Sequence, residues 1–241
     1  MYTNFSTALN ATGRTILFSL CEWGDDDVET WGGKVGQMYR VQQDHLPFWE
    51  FPPLAAGAGF GQGTLDIINY MATLVPSQWV GPYSWMDPDF LETLMPVYLP
   101  FTESRTEFTF WCMWSAPLLI ATDVRNMTQQ KKSIVMNPDA ISIDQDSLAR
   151  GGDRVLFDNA THAQVWAKQL SGNRVAAVLF NPKSLTPLTI SVTFADLGFP
   201  PDQKLLIRDV WKQQDLGIYS GSISSTVTHR DVFFFIATPQ L

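Results

Sequence analysis

The chain has 241 residues, of which 45% are hydrophobic and 17% charged. This composition is typical of a soluble globular protein with one large core or two modest ones. A formal net charge of -8 and a pI near 4.7, without a basic stripe to neutralise phosphates, argue against nucleic-acid binding. No apolar run approaches the ~18 residues of a membrane span.

The first 150 residues alternate between helix and strand patterns, as parallel β/α proteins do. Residues 15–20 are almost continuously apolar and lack a helical period, which predicts a buried parallel strand. Further strands are predicted at 41–44, 83–86 and 118–122. Helices are predicted at 6–12, 26–35, 64–74, 102–114 and 128–136. About four β/α units result, half of the eight that close a (β/α)8 barrel.

Residues 47–63 are rich in Pro and Gly and contain Trp49. A loop of this length inside a compact domain usually has a function. We therefore expect it to line a site.

Beyond residue 150 the pattern changes to strands with period 2, separated by Pro and Gly-Asn turns. The predicted strands are 154–157, 163–169, 174–181, 188–194, 204–211 and 226–238. We therefore predict α/β plus all-β architecture. Residues 1–150 form a partial (β/α)8 TIM barrel, and residues 151–241 form a small antiparallel β-sandwich.

Carboxylates follow three successive strands of the first part. Glu22 follows the first strand, Asp44 the second, and Asp87 and Asp89 the third, while Arg40 precedes Asp44 by four residues. The carboxyl ends of barrel strands meet at one mouth, and acids that converge there are typical of sugar-cleaving enzymes. The alternatives are a surface ion pair for Arg40 and Asp44, and a helix cap for Asp87 and Asp89.

Several Trp residues accompany these acids. Those at strand ends or in the long loop could stack on the apolar face of a sugar, although any one Trp is more often part of a core. They are Trp23, Trp49 and Trp85. By contrast, Trp111 and Trp114 have helical spacing among apolar neighbours, which predicts core positions.

Four of the eight Asn residues begin Asn-X-Ser/Thr triplets, namely Asn4, Asn10, Asn126 and Asn159. This excess indicates a secreted glycoprotein, although Met1–Asn4 lacks the basic and apolar regions of a signal peptide. Cys112 is predicted to be a buried hydrophobe and Cys21 to be available for a disulfide. The scattered His residues imply no metal, and no motif implies a nucleotide or another cofactor.

Several motifs together resemble glycoside hydrolase family 27, the retaining alpha-galactosidases, especially the fungal members. The motifs are Ala8–Arg14 (ALNATGR), Ser19–Gly24 (SLCEWG), Tyr39–Asp44 (YRVQQD), Trp85–Asp89 (WMDPD) and Ser115–Leu119 (SAPLL). The resemblance covers essentially the whole chain. It implies barrel strands of about 5 to 8, then the C-terminal β-sandwich, and hydrolysis of terminal alpha-linked galactose from oligosaccharides.

The resemblance assigns roles to particular residues. Asp44 matches the acid/base, Arg40 an Arg that holds sugar hydroxyls, and Glu22 a residue that recognises the 2-hydroxyl. Asp89 matches a further sugar-contacting carboxylate, with Asp87 beside it, and Trp23 lies next to Glu22 at the strand end. Cys21 matches half of a disulfide whose other half lies next to the nucleophile.

The nucleophile and its Tyr-Asp-Asn-Cys segment have no counterpart in this sequence. A retaining reaction needs two carboxyls about 5–5.5 Å apart, and the acid must hold a proton, which requires burial or a nearby negative charge. We therefore expect the chain alone to be inactive and to associate with itself through open sheet edges. The alternatives are a non-catalytic galactoside-binding or structural remnant, and a related retaining beta-L-arabinopyranosidase.

Overall fold

The computed structural model of the chain describes residues 1–50, 61–95 and 99–240. Its first part contains three short strands, which form a parallel sheet in the order β1-β2-β3. The elements are α1 (Tyr2–Ala11), β1 (Ser19–Leu20), β2 (Met38–Arg40), α2 (Thr64–Leu74), β3 (Trp85–Asp87), α3 (Phe101–Trp114), α4 (Gln129–Val135) and α5 (Pro138–Asp144). Much of the predicted loop, residues 51–60, lies outside the described residues.

The helix predicted at 26–35 is wrong. Two short 3-10 turns occupy this segment, Val28–Thr30 and Gly32–Lys34. A Cβ on Gly32 would lie 2.7 Å from the ring of Tyr39, so this position must be Gly. Because Gly is unfavourable inside a helix, the backbone takes a tighter path against the sheet.

Two predicted strands also differ from the structure. The second strand ends at Arg40, so residues 41–44 follow it as an irregular segment. Residues 118–122 form only an isolated parallel bridge, between Ile120 and Leu91. Pro117, which has no amide proton, directly precedes this segment, and no extended ladder forms there among the described residues.

The second part contains eight strands among the described residues, two more than predicted. Six form an antiparallel sheet in the order β4-β5-β6-β11-β8-β9, and β7 pairs with β10. The strands are β4 (Asp153–Phe157), β5 (Gln164–Leu170), β6 (Arg174–Asn181), β7 (Leu188–Thr193), β8 (Lys204–Asp209), β9 (Gln214–Ser220), β10 (Ser222–Val227) and β11 (Asp231–Pro239). The pattern missed β9, which is mostly polar, and merged β10 with β11.

An aromatic core joins the sandwich to α3. The Phe110 ring lies 5.3 Å from the Trp166 ring and 5.0 Å from the Phe180 ring. Trp111 and Trp114 are fully buried, as predicted. Trp49 is also buried, at 4% exposure, and meets Phe180 edge-on. Its predicted role as a sugar platform is therefore wrong, because this loop residue fills the core.

Two ion pairs reinforce this contact between α3 and β11. Arg105 donates to both carboxylate oxygens of Asp231 at 2.6 and 2.7 Å. Arg230 donates to Glu103 at 2.6 Å. Hydrogen bonds between charged groups are stronger than those between neutral groups, so both pairs help to hold α3 against β11.

Lys168 on β5 is a buried cation at the same junction. Its Nζ donates to Cys112 O at 2.9 Å, Ser115 Oγ at 2.7 Å and Ile143 O at 2.7 Å. These carbonyls lie at the C-terminal ends of α3 and α5, where a positive charge is favourable. Burial lowers the pKa of Lys168 to about 8, and the nearby buried Asp144 opposes that shift.

Both edges of the β1-β2-β3 sheet expose apolar side chains. Leu17, just before β1, is 65% exposed, and Leu119 and Ile120 are 41% and 36% exposed. In the described part of the chain, β1 and β3 each pair with β2 and with no other strand. Open edges of this kind promote association.

We expect the isolated chain to elute from a sizing column well above its 27.1 kDa. Leu17→Lys should shift the elution position toward that of the monomer, because a charge at the sheet edge opposes pairing with the edge of another chain. Leu185→Lys is the matched control, since Leu185 is 83% exposed in the sandwich and away from the edge. A monodisperse wild-type monomer that melts cooperatively would contradict this prediction.

No helix among the described residues is long and apolar enough to cross a membrane.

Candidate active site

The carboxyl ends of β1, β2 and β3 bring the predicted residues to one edge of the sheet. Arg40 and Asp87 are register partners at the ends of β2 and β3. Asp89 follows two residues later, and Glu22 lies two residues beyond β1. Parallel strands therefore place these residues at one edge of the sheet, as the sequence predicted.

Arg40 connects two of the carboxylates. Its Nη2 lies 3.2 Å from Asp44 Oδ1 and 2.9 Å from Asp89 Oδ2, and it donates to Gln42 O at 3.2 Å. Its Nε is buried and makes no hydrogen bond to any described residue. The ion pair with Asp44 is therefore part of a partly buried cluster. It arises from a bend at residues 42 and 43 rather than from strand alternation.

Asp44 occupies the solvent-facing side of this cluster. Its side chain is 51% exposed, against 11% for Arg40 and 10% for Asp89. Asp44 is therefore the most accessible carboxylate of the cluster.

Asp89 is fixed by its backbone and its side chain. Its φ is 84°, a left-handed conformation that is unusual for a residue other than Gly. His45 N–H donates to Asp89 Oδ2 at 2.9 Å, and Trp111 Nε1 donates to Asp89 O at 2.8 Å. Strained backbone held by several bonds is common at functional sites.

Asp87 is buried beneath this cluster, and its Oδ1 accepts the Asp89 N–H at 2.8 Å. Burial raises the pKa of Asp87 to about 6, although the Asp89 amide and the Arg40 charge oppose the shift. Asp87 and Asp89 stabilise a turn after β3, and no described helix begins there. The alternative of a helix cap is therefore wrong.

The turn after β1 presents two unpaired polar atoms. Glu22 Oε1 accepts the Asp26 N–H at 2.9 Å, whereas Glu22 Oε2 and Trp23 Nε1 are buried and bond to no described residue. Burial raises the pKa of Glu22. Gly24, with φ 76°, lets the turn approach β2, because a Cβ there would lie 2.3 Å from Val41 O. Buried polar atoms without partners are costly unless a ligand satisfies them.

His45 supports the site from below and was missed in the sequence, although it directly follows Asp44. Its ring Nδ1 lies 2.9 Å from Phe90 O and its Nε2 lies 3.1 Å from Thr64 Oγ1. Since a carbonyl can only accept, Nδ1 carries the proton. Burial lowers the pKa of His45 to about 4. His45 is therefore a neutral positioning residue.

Glu107 on α3 is a buried carboxyl near His45, and its Oε2 accepts from Thr93 Oγ1 at 2.8 Å. Burial raises the pKa of Glu107 from 4.5 to about 8. The folded chain therefore keeps a proton that the unfolded chain loses above pH 4.5, so this group lowers stability as the pH rises toward 8.

We expect Glu107→Gln to flatten the fall in the free energy of unfolding between pH 4.5 and about 8. Gln resembles the protonated acid and cannot ionise. Urea unfolding across this pH range measures the effect, with Glu50→Gln as the control because the Glu50 side chain is 44% exposed. An unchanged slope in Glu107→Gln would contradict the burial argument.

Other candidate residues lie elsewhere. Trp85 begins β3 and lines a cavity of about 430 Å³ with Met38 and Ser115, near the amino ends of the strands. It does not join the Arg40 cluster, so its predicted stacking role is wrong. Cys21 is exposed, Cys112 is buried, and both are free thiols. The described residues contain no cluster of metal-ligating side chains.

Two family models match the chain. One, described as "Alpha galactosidase A", matches residues 1–146, and the other, described as "Alpha galactosidase C-terminal beta sandwich domain", matches residues 160–237. The chain belongs to the alpha-galactosidase family. The resemblance seen in the sequence is therefore confirmed, and the fold is part of an alpha-galactosidase barrel plus its C-terminal sandwich.

Alpha-galactosidases from plants and a fungus are similar to this chain. An alpha-galactosidase from Oryza sativa subsp. japonica is 35% identical over 99% of this chain and 53% of its own length. Alpha-galactosidase 3 from Arabidopsis thaliana is 34% identical over 99% of this chain and 52% of its own length. The crystal structure of alpha-galactosidase I from Mortierella vinacea superposes with a TM-score of 0.91 and 27% identity, covering 98% of this chain and 62% of that one.

The chain spans about half the length of the curated relatives that it matches.

Proposed function

We propose that this chain supplies the acid/base half of an alpha-galactosidase active site. The substrate is a galactoside oligosaccharide with a terminal alpha-linked galactose. Asp44 is the acid/base, Arg40 binds sugar hydroxyls, and Glu22 binds the 2-hydroxyl. Asp89 and Asp87 complete the sugar-binding edge, and Trp23 contacts the ring. No cofactor takes part.

The observation that carries this proposal is the Arg40 cluster beside unpaired buried groups. Arg40 Nε, Glu22 Oε2 and Trp23 Nε1 all lack partners among the described residues. They are two donors and one acceptor at one end of one sheet. Sugar hydroxyls both donate and accept, so a galactoside would satisfy all three.

The reaction follows a double displacement. A carboxylate nucleophile attacks the anomeric carbon while Asp44 gives its proton to the leaving oxygen. Asp44 then removes a proton from water, which attacks the glycosyl-enzyme and releases galactose with retained configuration. The nucleophile comes from a barrel half that this chain does not supply, and its negative charge would favour the proton on Asp44.

A chimera tests the proposal. The segment of the Oryza sativa relative that this chain does not match is joined upstream of residue 1. We expect the chimera to hydrolyse an aryl alpha-galactoside. A folded chimera that binds galactose without turnover would instead support a non-catalytic galactoside-binding protein. Preference for an aryl beta-L-arabinopyranoside would indicate the arabinopyranosidase alternative.

The proposal also includes the boundary between the two domains. We assign residues 1–150 to the second half of the (β/α)8 barrel, with about strands 5 to 8, and residues 151–241 to the sandwich. The matches at 1–146 and 160–237 support this boundary.

We propose that the protein is secreted and glycosylated. The Asn residues of all four acceptor triplets are exposed, namely Asn4, Asn10, Asn126 and Asn159. Exposed Cys21 is then available for a disulfide with the missing half. Loss of mass on enzymatic deglycosylation of the secreted protein tests this assignment, and an unchanged mass would contradict it.

A further inference from the structure

A second cavity lies between α2 and the edge of the sandwich. Its volume is about 280 Å³, near the lower end of the ~300–1,000 Å³ of small-molecule sites. The described residues that line it are Leu65, Asn69, Arg154, Phe157, His162, Gln164, Pro182 and Lys183. None of these residues belongs to the Arg40 cluster, which consists of Arg40, Asp44 and Asp89 with Asp87 beneath them.

The charge of this lining is opposite to that of the chain. The whole chain has a net charge of -8, yet the described lining includes Arg154, Lys183 and His162 and no carboxylate. Lys183 pairs with Glu50 at 3.0 Å, with both side chains 44% exposed. Screened exposed pairs of this kind are weak, so the cavity keeps a positive character.

A β-bulge directs two of the lining residues to the same face. Arg154 and Phe157 are three residues apart on β4, so strict alternation would put them on opposite faces. The register shifts between Arg154 and Leu156, and the extra residue restores a common face. As a result the Arg154 guanidinium lies 4.7 Å from the centre of the Phe157 ring. Bulges often redirect side chains toward functional sites.

Arg154 has no acceptor among the described residues. None of them forms an ion pair or a hydrogen bond with its side chain, whose guanidinium contacts the Phe157 ring. By contrast, Arg105 and Arg230, which lie where α3 meets the sandwich, each pair with a carboxylate. A planar guanidinium held over a ring and left with free donors is well suited to bind an oxyanion.

The floor of the cavity is fixed and polar. Gln164 is 1% exposed and is the register partner of Phe157 at the end of β4. Its Oε1 accepts from Trp166 Nε1 at 2.8 Å, and its Nε2 donates to Asn69 Oδ1 at 3.1 Å. This leaves the Asn69 amide nitrogen free to donate toward a ligand.

We propose that this cavity binds a monosaccharide-sized ligand that carries a carboxylate or a phosphate. Arg154 holds the oxyanion, and Asn69, His162 and Lys183 supply further donors at the rim. The site is independent of the galactoside site, because it shares no residue with it and requires no turnover.

The experiment uses the 241-residue chain with Leu17→Lys, which opposes self-association through the sheet edge. This chain is titrated with D-galacturonate and with D-galactose 6-phosphate, and the ring proton signals of His162 are followed by NMR. The two ligands distinguish a carboxylate from a phosphate, and D-galactose is the uncharged control. We expect at least one charged sugar to shift the His162 signals saturably at millimolar concentration. The affinity for galactose, measured from the same signals, should be at least about tenfold lower.

Arg154→Gln should lower the affinity for the charged sugar by about tenfold or more. Arg154→Lys should retain part of the binding, and Arg14→Gln, at an exposed position in the other part of the chain, should leave it unchanged. Equal melting temperatures show that the variants fold. The proposal is overturned if galactose acts as strongly as both charged sugars, if none of the sugars shifts His162, or if folded Arg154→Gln binds like the wild type.

Discussion

Asp44→Asn is expected to lower kcat on galactosides with poor leaving groups by about 10²–10⁴-fold in the chimera that completes the barrel. The Asn side chain keeps the size of Asp44 and can still accept from Arg40, which now lies 3.2 Å from Asp44 Oδ1. It has no proton to give to the leaving oxygen. Galactose binding and the melting temperature should therefore remain close to those of the parent.

The leaving group separates this role from a structural one. An aryl leaving group of low pKa needs little protonation. Asp44→Asn should therefore slow formation of the glycosyl-enzyme much less with an aryl galactoside than with an alkyl galactoside. Asp202→Asn, at an exposed turn of the sandwich, is the matched control and should leave both rates unchanged. A folded Asp44→Asn chimera with normal rates on alkyl galactosides would refute the acid/base assignment.

Lys168→Met is expected to destabilise the chain by about 3–5 kcal/mol, because three buried acceptors lose their donor and each unsatisfied buried group costs about 1–3 kcal/mol. Met fills a similar volume but cannot donate to Cys112 O, Ser115 Oγ and Ile143 O. It also leaves Asp144 buried without its neighbouring cation. Burial raises the pKa of Asp144 to about 7, and Lys168 opposes that rise.

Urea unfolding followed by Trp fluorescence measures this cost, and Lys204→Met at an exposed strand position is the control. Asp144→Asn added to Lys168→Met should recover part of the loss, because it removes the unpaired charge. A Lys168→Met chain as stable as the wild type would show that the ammonium group does not stabilise the junction.

The sequence predicted the placement of residues whose signal is local to a strand end. Arg40 and Asp87 end their strands, Glu22 and Asp89 lie two residues beyond theirs, and the parallel order of the strands brings all four to one edge. Amphipathic helices with clear ends were also predictable, as at Thr64–Leu74. These features depend on periodicity and on neighbouring residues, which a single sequence contains.

Features that depend on distant contacts could not be predicted. The segment around Gly32 loses its helix because the Tyr39 ring occupies the space. Trp49 resembles a loop platform in sequence but packs on Phe180, far along the chain. The bulge that aligns Arg154 with Phe157 is a property of pairing with β5. In each case tertiary packing overrides the local pattern.

The most direct test of the account is hydrolysis of an aryl alpha-galactoside by the purified 241-residue chain, alone and joined to the complementary barrel half. We expect no turnover by the chain alone and clear turnover by the chimera. Turnover by the chain alone that disappears in Asp87→Asn or Asp89→Asn would contradict it. One of these carboxylates would then act as the nucleophile, and the second half of the site would already be present in this chain.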